Sequence, residues 1–160
     1  MEAARAPLVL LVLSGDLEKG LAACNLALAA ASSGRPVWLF FTFWGLNFLK
    51  RPEARPGGPL LARLLGRVNR DHSGRQRLGR FHLAGLGPWA LGRILGRRGL
   101  PTVEEGLRAA RGLGARVVAC SATLELLGLD RAALIPEVDE VAGAAAALDA
   151  GRGGQIITLG

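Results

Sequence analysis

Six consecutive apolar residues, Leu8-Val9-Leu10-Leu11-Val12-Leu13, restrict this chain more than any other stretch. The run has strand length and no polar alternation, so both of its faces must be covered. That is the position of a central strand in a parallel sheet, with helices on either side. Ser14-Gly15-Asp16 ends it. Gly15 permits a sharp turn, and Asp16 is placed to cap the helix that follows. Leu17, Gly20, Leu21, Cys24, Leu28 and Ala31 then recur at helical spacing through Ser33, and Gly34 stops the helix.

Pro36 to Thr42 reads as a second apolar strand, which runs into a short helix or turn over residues 43–50 with Trp44 near its start. Val37 to Leu49 is about thirteen residues, short of the roughly twenty a membrane span requires, and it includes Thr42, Gly45 and Asn47. Its aromatic cluster is expected in the core, with a pocket wall or subunit interface beside it. Further on, Thr102 and Glu105 have capping-box spacing, and Val103, Leu107, Ala110 and Leu113 form an apolar helical face. Arg116 to Cys120 is a β-branched strand. Leu129 to Leu134 is a short helical segment, and Ala142 to Ala150 is an alanine-rich helix. Strands are expected at 8–13, 37–42, 116–120, 138–141 and 155–159. Strands separated by helices imply right-handed crossovers, hence an α/β fold: three layers, α/β/α, around a five-stranded, mostly parallel sheet.

The 160 residues suit one domain, 1–160, and half of them are apolar. Residues 51–100 differ from the rest and read as a basic helical and loop insertion. Positions 50–98 hold twelve Lys/Arg against Glu53 and Asp71, a net +10, so the remainder carries −3 of the overall +7. Two cysteines cannot build a disulfide framework, and a cytoplasmic protein with reduced thiols is expected. Cys24 falls mid-helix on an apolar stripe and is assigned to packing.

In a parallel sheet, chemistry gathers beyond the carboxyl ends of the strands. Three loops leave those ends: Ser14-Gly15-Asp16, Thr42-Phe43-Trp44 and Cys120-Ser121. Asp16, Trp44 and Cys120 are therefore expected on one rim. Cys120 closes a strand where a helix begins, with Ser121 as a candidate N-cap. Backbone N–H groups and the positive end of the helix favour a thiolate there. The alternative is a cysteine that merely fills apolar space. Asp16, already anionic, is a poor base and better suited to capping. Trp44 either shields the rim or packs into the core.

Ser14-Gly15-Asp16, Phe40-Phe41-Thr42-Phe43-Trp44-Gly45-Leu46, Gly85-Leu86-Gly87 and Ala119-Cys120-Ser121 with Gly128 resemble the DsrE/DsrF-like family, in its peroxiredoxin-like branch. The resemblance runs from about residue 8 to 159. It implies a three-layer domain that forms homo-oligomers and works in sulfur trafficking. In such work a cysteine, here Cys120, takes sulfane sulfur as a persulfide and passes it to a partner. Rhodanese-type or TusA-type sulfur carriers are the implied partners. The residues carrying the resemblance make Ser14, Gly15, Asp16, Thr42, Trp44 and Ser121 the candidate binding positions around Cys120. The middle segment departs from relatives, having Arg and Leu where they are often rich in Met and Lys. No peroxidase site is recognisable behind the branch's label.

Two other classes compete with a sulfurtransferase-like carrier. One is a non-catalytic, oligomeric binding or assembly module of the same fold. The other is docking of the basic 50–98 segment on an anionic surface, a peripheral membrane contact included. Nucleic acid is not expected as a partner, since no helix-turn-helix, RNP or zinc pattern accompanies the charge. His72 and His82 stand ten residues apart without a ligand cluster, so no metal is assigned. No Gly-x-Gly-x-x-Gly follows the first strand, and no cofactor is expected.

Overall fold

The unalternated run forms β1 at Leu8–Val12 and lies inside the sheet, as its two covered faces require, with Leu8, Val9, Leu10 and Val12 all buried. The computed structural model describes residues 5–57 and 101–160, with residues 60, 72, 73, 76, 93, 96, 97 and 99 between them. Along the described residues follow α1 (Leu17–Ser32), β2 (Val37–Phe41), a 3-10 helix (Phe43–Leu49), α2 (Val103–Gly112) and β3 (Arg116–Cys120). Then come α3 (Ser121–Leu126), a 3-10 turn (Arg131–Ala133), β4 (Glu140–Ala142), α4 (Ala144–Ala150) and β5 (Gln155–Leu159). The strands pair in the order β4-β3-β2-β1-β5, every pair parallel. This is the expected five-stranded α/β architecture.

Side-chain alternation divides the core in two. Leu8, Leu10 and Val12 share a face with Val37, Leu39, Phe41, Val117 and Ala119, and α1 and α2 cover it. Val9, Phe40, Val118 and Cys120 point the other way, where Ala147 of the two-turn α4 covers them. The first layer is tightly joined. A Cβ on Gly106 would lie 2.8 Å from Cys24 Cβ, so glycine at that position lets α2 approach α1. The capping box of α2 forms as its spacing predicts. Thr102 Oγ1 accepts the Glu105 N–H at 3.2 Å, and Glu105 Oε2 accepts the Thr102 N–H at 2.8 Å. Cys24 is packed as expected, its thiol 3.5 Å from the Val103 carbonyl.

Several boundaries and roles differ from expectation. The fourth strand is Glu140–Ala142, not 138–141. Asp139 Oδ2 accepts the Val117 N–H at 2.8 Å while Arg111 holds the same carboxylate at 2.6 Å, and Val138 is drawn into the core. The segment read as a helix over 129–134 is a 3-10 turn of three residues, whose N–H at Ala133 bonds Asp130 Oδ1 at 3.0 Å. β1 and β2 each stop one residue early, and α1 ends at Ser32. Most of the basic insertion at 51–100, with Gly85-Leu86-Gly87 and His82, lies outside the described residues. Among the described residues no helix is long and apolar enough to cross a membrane.

Candidate functional site

β3 places Cys120 at its last position, and Cys120 is also the residue from which α3 starts. Its neighbour in the sheet is β2, so Thr42, the first residue past β2, comes alongside. The first turn of α3 brings Thr123 back over both. Thr42 Oγ1 and Thr123 Oγ1 are 3.0 Å apart, and Thr123 Oγ1 also accepts the Phe43 N–H at 3.1 Å. The two hydroxyls and the backbone N–H groups of Thr123 and Ala122 favour the thiolate of Cys120, whose side chain makes no capping hydrogen bond to α3.

These contacts decide the thiol's acidity. Burial is the largest influence and pushes the Cys120 thiol up. The hydroxyls of Thr42 and Thr123 and the two backbone N–H groups stabilise the thiolate and together outweigh it, leaving the thiol below its ordinary value. Cys24 shows the opposite balance. With burial acting alone it is pushed up to about 12, which makes it an inert packing thiol. Cys120 itself is only 6% exposed, yet the two residues that follow it, Ser121 and Ala122, are exposed. The sulfur therefore lies directly beneath the surface.

Phe43 bends the chain at this point. It has φ 46°, a left-handed backbone that a non-glycine residue adopts at a cost of about 1–3 kcal/mol. The Thr123 hydroxyl on its N–H holds that turn. Its result is two exposed aromatic side chains, Phe43 at 55% and Trp44 at 50%. Trp44 thus stands on the rim rather than in the core. Core packing in this segment falls instead to Leu46, Phe48 and Leu49, with Phe48 edge-on to Phe41.

The predicted rim is present but splits into two groups. Gly15 and Trp44 meet through their backbones: a Cβ at Gly15 would lie 2.8 Å from the Trp44 carbonyl oxygen. Ser14 Oγ accepts the Asp16 N–H at 3.0 Å, which shapes the same loop. Asp16 follows β1, two strands from β3, and is not among the groups that act on the Cys120 thiol. Its side chain makes no capping bond to α1. Ser121 is not the N-cap expected of it. Cys120 holds that place, and Ser121 is the first helical residue, exposed. Thr123 is the site residue the sequence reading missed. Its signal was the spacing Cys120-x-x-Thr123, which sets a hydroxyl on the first helical turn facing the strand end.

Comparison with known proteins agrees with this geometry. A model of the DsrE/DsrF/DrsH-like family matches residues 5–157. Uncharacterized protein YrkE of Bacillus subtilis (strain 168) is 30% identical over 145 residues, which cover 90% of this chain and 91% of that protein. Among solved structures, the protein of unknown function MTH1491 from Methanobacterium thermoautotrophicum is similar in fold. It has a TM-score of 0.52 at 14% identity, covering 96% of this chain and 99% of that one.

Proposed function

The chain belongs to the DsrE/DsrF/DrsH-like family, one associated with sulfur relay, and from that premise we propose that it is an intracellular sulfur carrier working through Cys120. The Cys120 thiolate attacks the outer sulfur of a donor persulfide. A new S–S bond forms, the donor's S–S bond breaks, and the donor leaves as a thiolate, so no oxidant is consumed. The persulfide on Cys120 then gives its outer sulfur to an acceptor thiolate by the same exchange. Rhodanese-type and TusA-type carriers are the partner classes for the two half-reactions.

One observation carries this reading: a cysteine at a strand end, packed beside the paired hydroxyls of Thr42 and Thr123 that lower its thiol below the ordinary range, with two exposed aromatic residues next to it. The hydroxyls and N–H groups that stabilise the thiolate are equally suited to a persulfide anion. Phe43 and Trp44 offer a partner an apolar landing close to the sulfur. The partner must also reach Cys120, which is buried next to the exposed Ser121 and Ala122.

The test is intact-protein mass spectrometry after incubation with polysulfide or thiosulfate. One added sulfur, present in the wild type, absent from Cys120→Ser and removed by a reductant, supports the carrier. No retained sulfur on Cys120 rejects it. The 6% exposure of Cys120 favours a second reading, a non-catalytic assembly module. In that case Cys120→Ser leaves partner binding unchanged.

A further inference from the structure

The sheet ends on two unlike edges. β4 is three residues long, and its Glu140 pairs with Arg116 at 3.0 Å. Short, charged strands are how edges avoid unwanted pairing. β5 has neither protection. It runs five residues in register with β1 and carries no charged side chain.

Its backbone has a definite sidedness. The Gln155 N–H donates to the Pro7 carbonyl at 2.9 Å, and the Leu159 carbonyl accepts from the N–H of Leu13 at 2.9 Å. Residues 155, 157 and 159 therefore turn their backbone groups toward β1. By alternation, the N–H and C=O of Ile156 and Thr158 point away from the sheet. The side chains are open too. Ile156 is 40% exposed on one face and Ile157 37% on the other, because α1 and α4 pack over β1 and β2.

We propose that β5 is the interface between two copies of this chain, joined antiparallel about a two-fold axis at Ile157. In that register each Ile156 lies opposite Thr158 of the other copy, and their outward groups exchange four hydrogen bonds. Ile157 faces its own copy in the closer, non-hydrogen-bonded kind of pair, about 4.5 Å between Cα atoms. The strand suits a second copy of itself because its outward groups are complementary when reversed. With no charge in 155–159, self-pairing opposes no like charges. The five strands become ten, and both ends of the joined sheet are then the short, charged β4. The inference is independent of the sulfur chemistry, since Cys120 stands on β3, three strands from β5.

Sedimentation equilibrium on the full chain, from low to high micromolar, tests it. A monomer–dimer equilibrium is expected. Ile157→Lys, which opposes two ammonium groups at the axis, weakens it by about tenfold or more. Thr158→Pro removes an outward N–H that β1 does not use and also weakens it. Far-UV circular dichroism reports whether each variant folds. Where one does not, oxidation of single-cysteine probes decides. Ile157→Cys forms a disulfide-linked dimer, while Gln155→Cys, about 13 Å from its copy in this register, does not. A chain that stays monomeric overturns the proposal. So does a dimer indifferent to Ile157→Lys and Thr158→Pro, or equal cross-linking from positions 155 and 157.

Discussion

Thr42 Oγ1 stands 3.0 Å from Thr123 Oγ1, joining the end of β2 to the first turn of α3 across the Cys120 sulfur. The pair has two tasks. Thr123 accepts the Phe43 N–H, which fixes the left-handed turn that exposes Phe43 and Trp44. Both hydroxyls also face the thiol. Because the Thr123 oxygen already accepts from Phe43, its own proton is free to go to Thr42 or to sulfur. Ionising Cys120 draws that proton to the sulfur, so the rim turn and the thiolate share one residue.

Thr123→Val keeps the shape and removes the hydroxyl. The pH dependence of Cys120 alkylation by iodoacetamide is the measurement. In the wild type the midpoint falls below that of a cysteine model peptide run alongside. In Thr123→Val it moves up, since burial remains while a thiolate donor is lost. Thr123→Ser restores it. A Val midpoint equal to the wild type's refutes the role of the hydroxyl.

The sheet was readable in the sequence because its strands are extreme. Leu8–Val12 and Val37–Phe41 are apolar on both faces, and nothing but a covered parallel strand accommodates them. The capping box at Thr102 was equally legible, being local chemistry within four residues. Failures came where distant residues decide. β4 starts late because Asp139 is committed to Val117 and Arg111, partners 22 and 28 residues away. The sequence left Trp44 between shielding the rim and packing in the core, and it is exposed because a hydroxyl 80 residues away holds the strained Phe43 turn. The sequence placed Cys120 at the strand–helix seam, but the thiol's acidity depends on Thr42 arriving from another strand.

Thr102→Ala removes the side chain that caps α2. The Glu105 N–H loses its acceptor, and the reciprocal bond loses its geometry. The expected loss is about 1 kcal/mol in urea unfolding, within the usual range for such caps. The box also explains why the Glu105 carboxyl lies below its ordinary range, chiefly through the Thr102 N–H it accepts. Stability from a depressed carboxyl is present above its unfolded pKa and is lost as pH falls through the folded value. Thr102→Ala therefore has its largest relative effect near neutral pH and a smaller one in acid.

Gly106→Ala inserts a methyl group 2.8 Å from Cys24 Cβ and 3.0 Å from its sulfur. The two helices must part, at a cost of about 1–3 kcal/mol by equilibrium unfolding. Cys24→Ala in the same chain relieves the sulfur contact and leaves the nearer Cβ contact, so it recovers less than half of the loss. Full recovery by Cys24→Ala would show that the sulfur alone sets the helix spacing.

Cys24 also gives the protein an alkaline limit. Its thiol is pushed up to about 12 by burial, whereas in the unfolded chain it ionises near the free value, about 8.5. Between these values the folded state keeps a proton that the unfolded state releases, so unfolding is favoured as pH rises. The stability from the protonated thiol is fully present below the unfolded pKa and is lost progressively toward the folded one. The slope from this one group approaches about 1.4 kcal/mol per pH unit once the unfolded thiol is ionised. Urea unfolding from pH 8 to 10.5 measures it, with Cys24→Ala as the comparison: the variant is less stable at pH 8 because it leaves a void beside Val103, and the difference narrows with each increment of pH. A constant difference across that range would mean that Cys24 ionises as readily in the fold as outside it, contrary to its burial beneath α2.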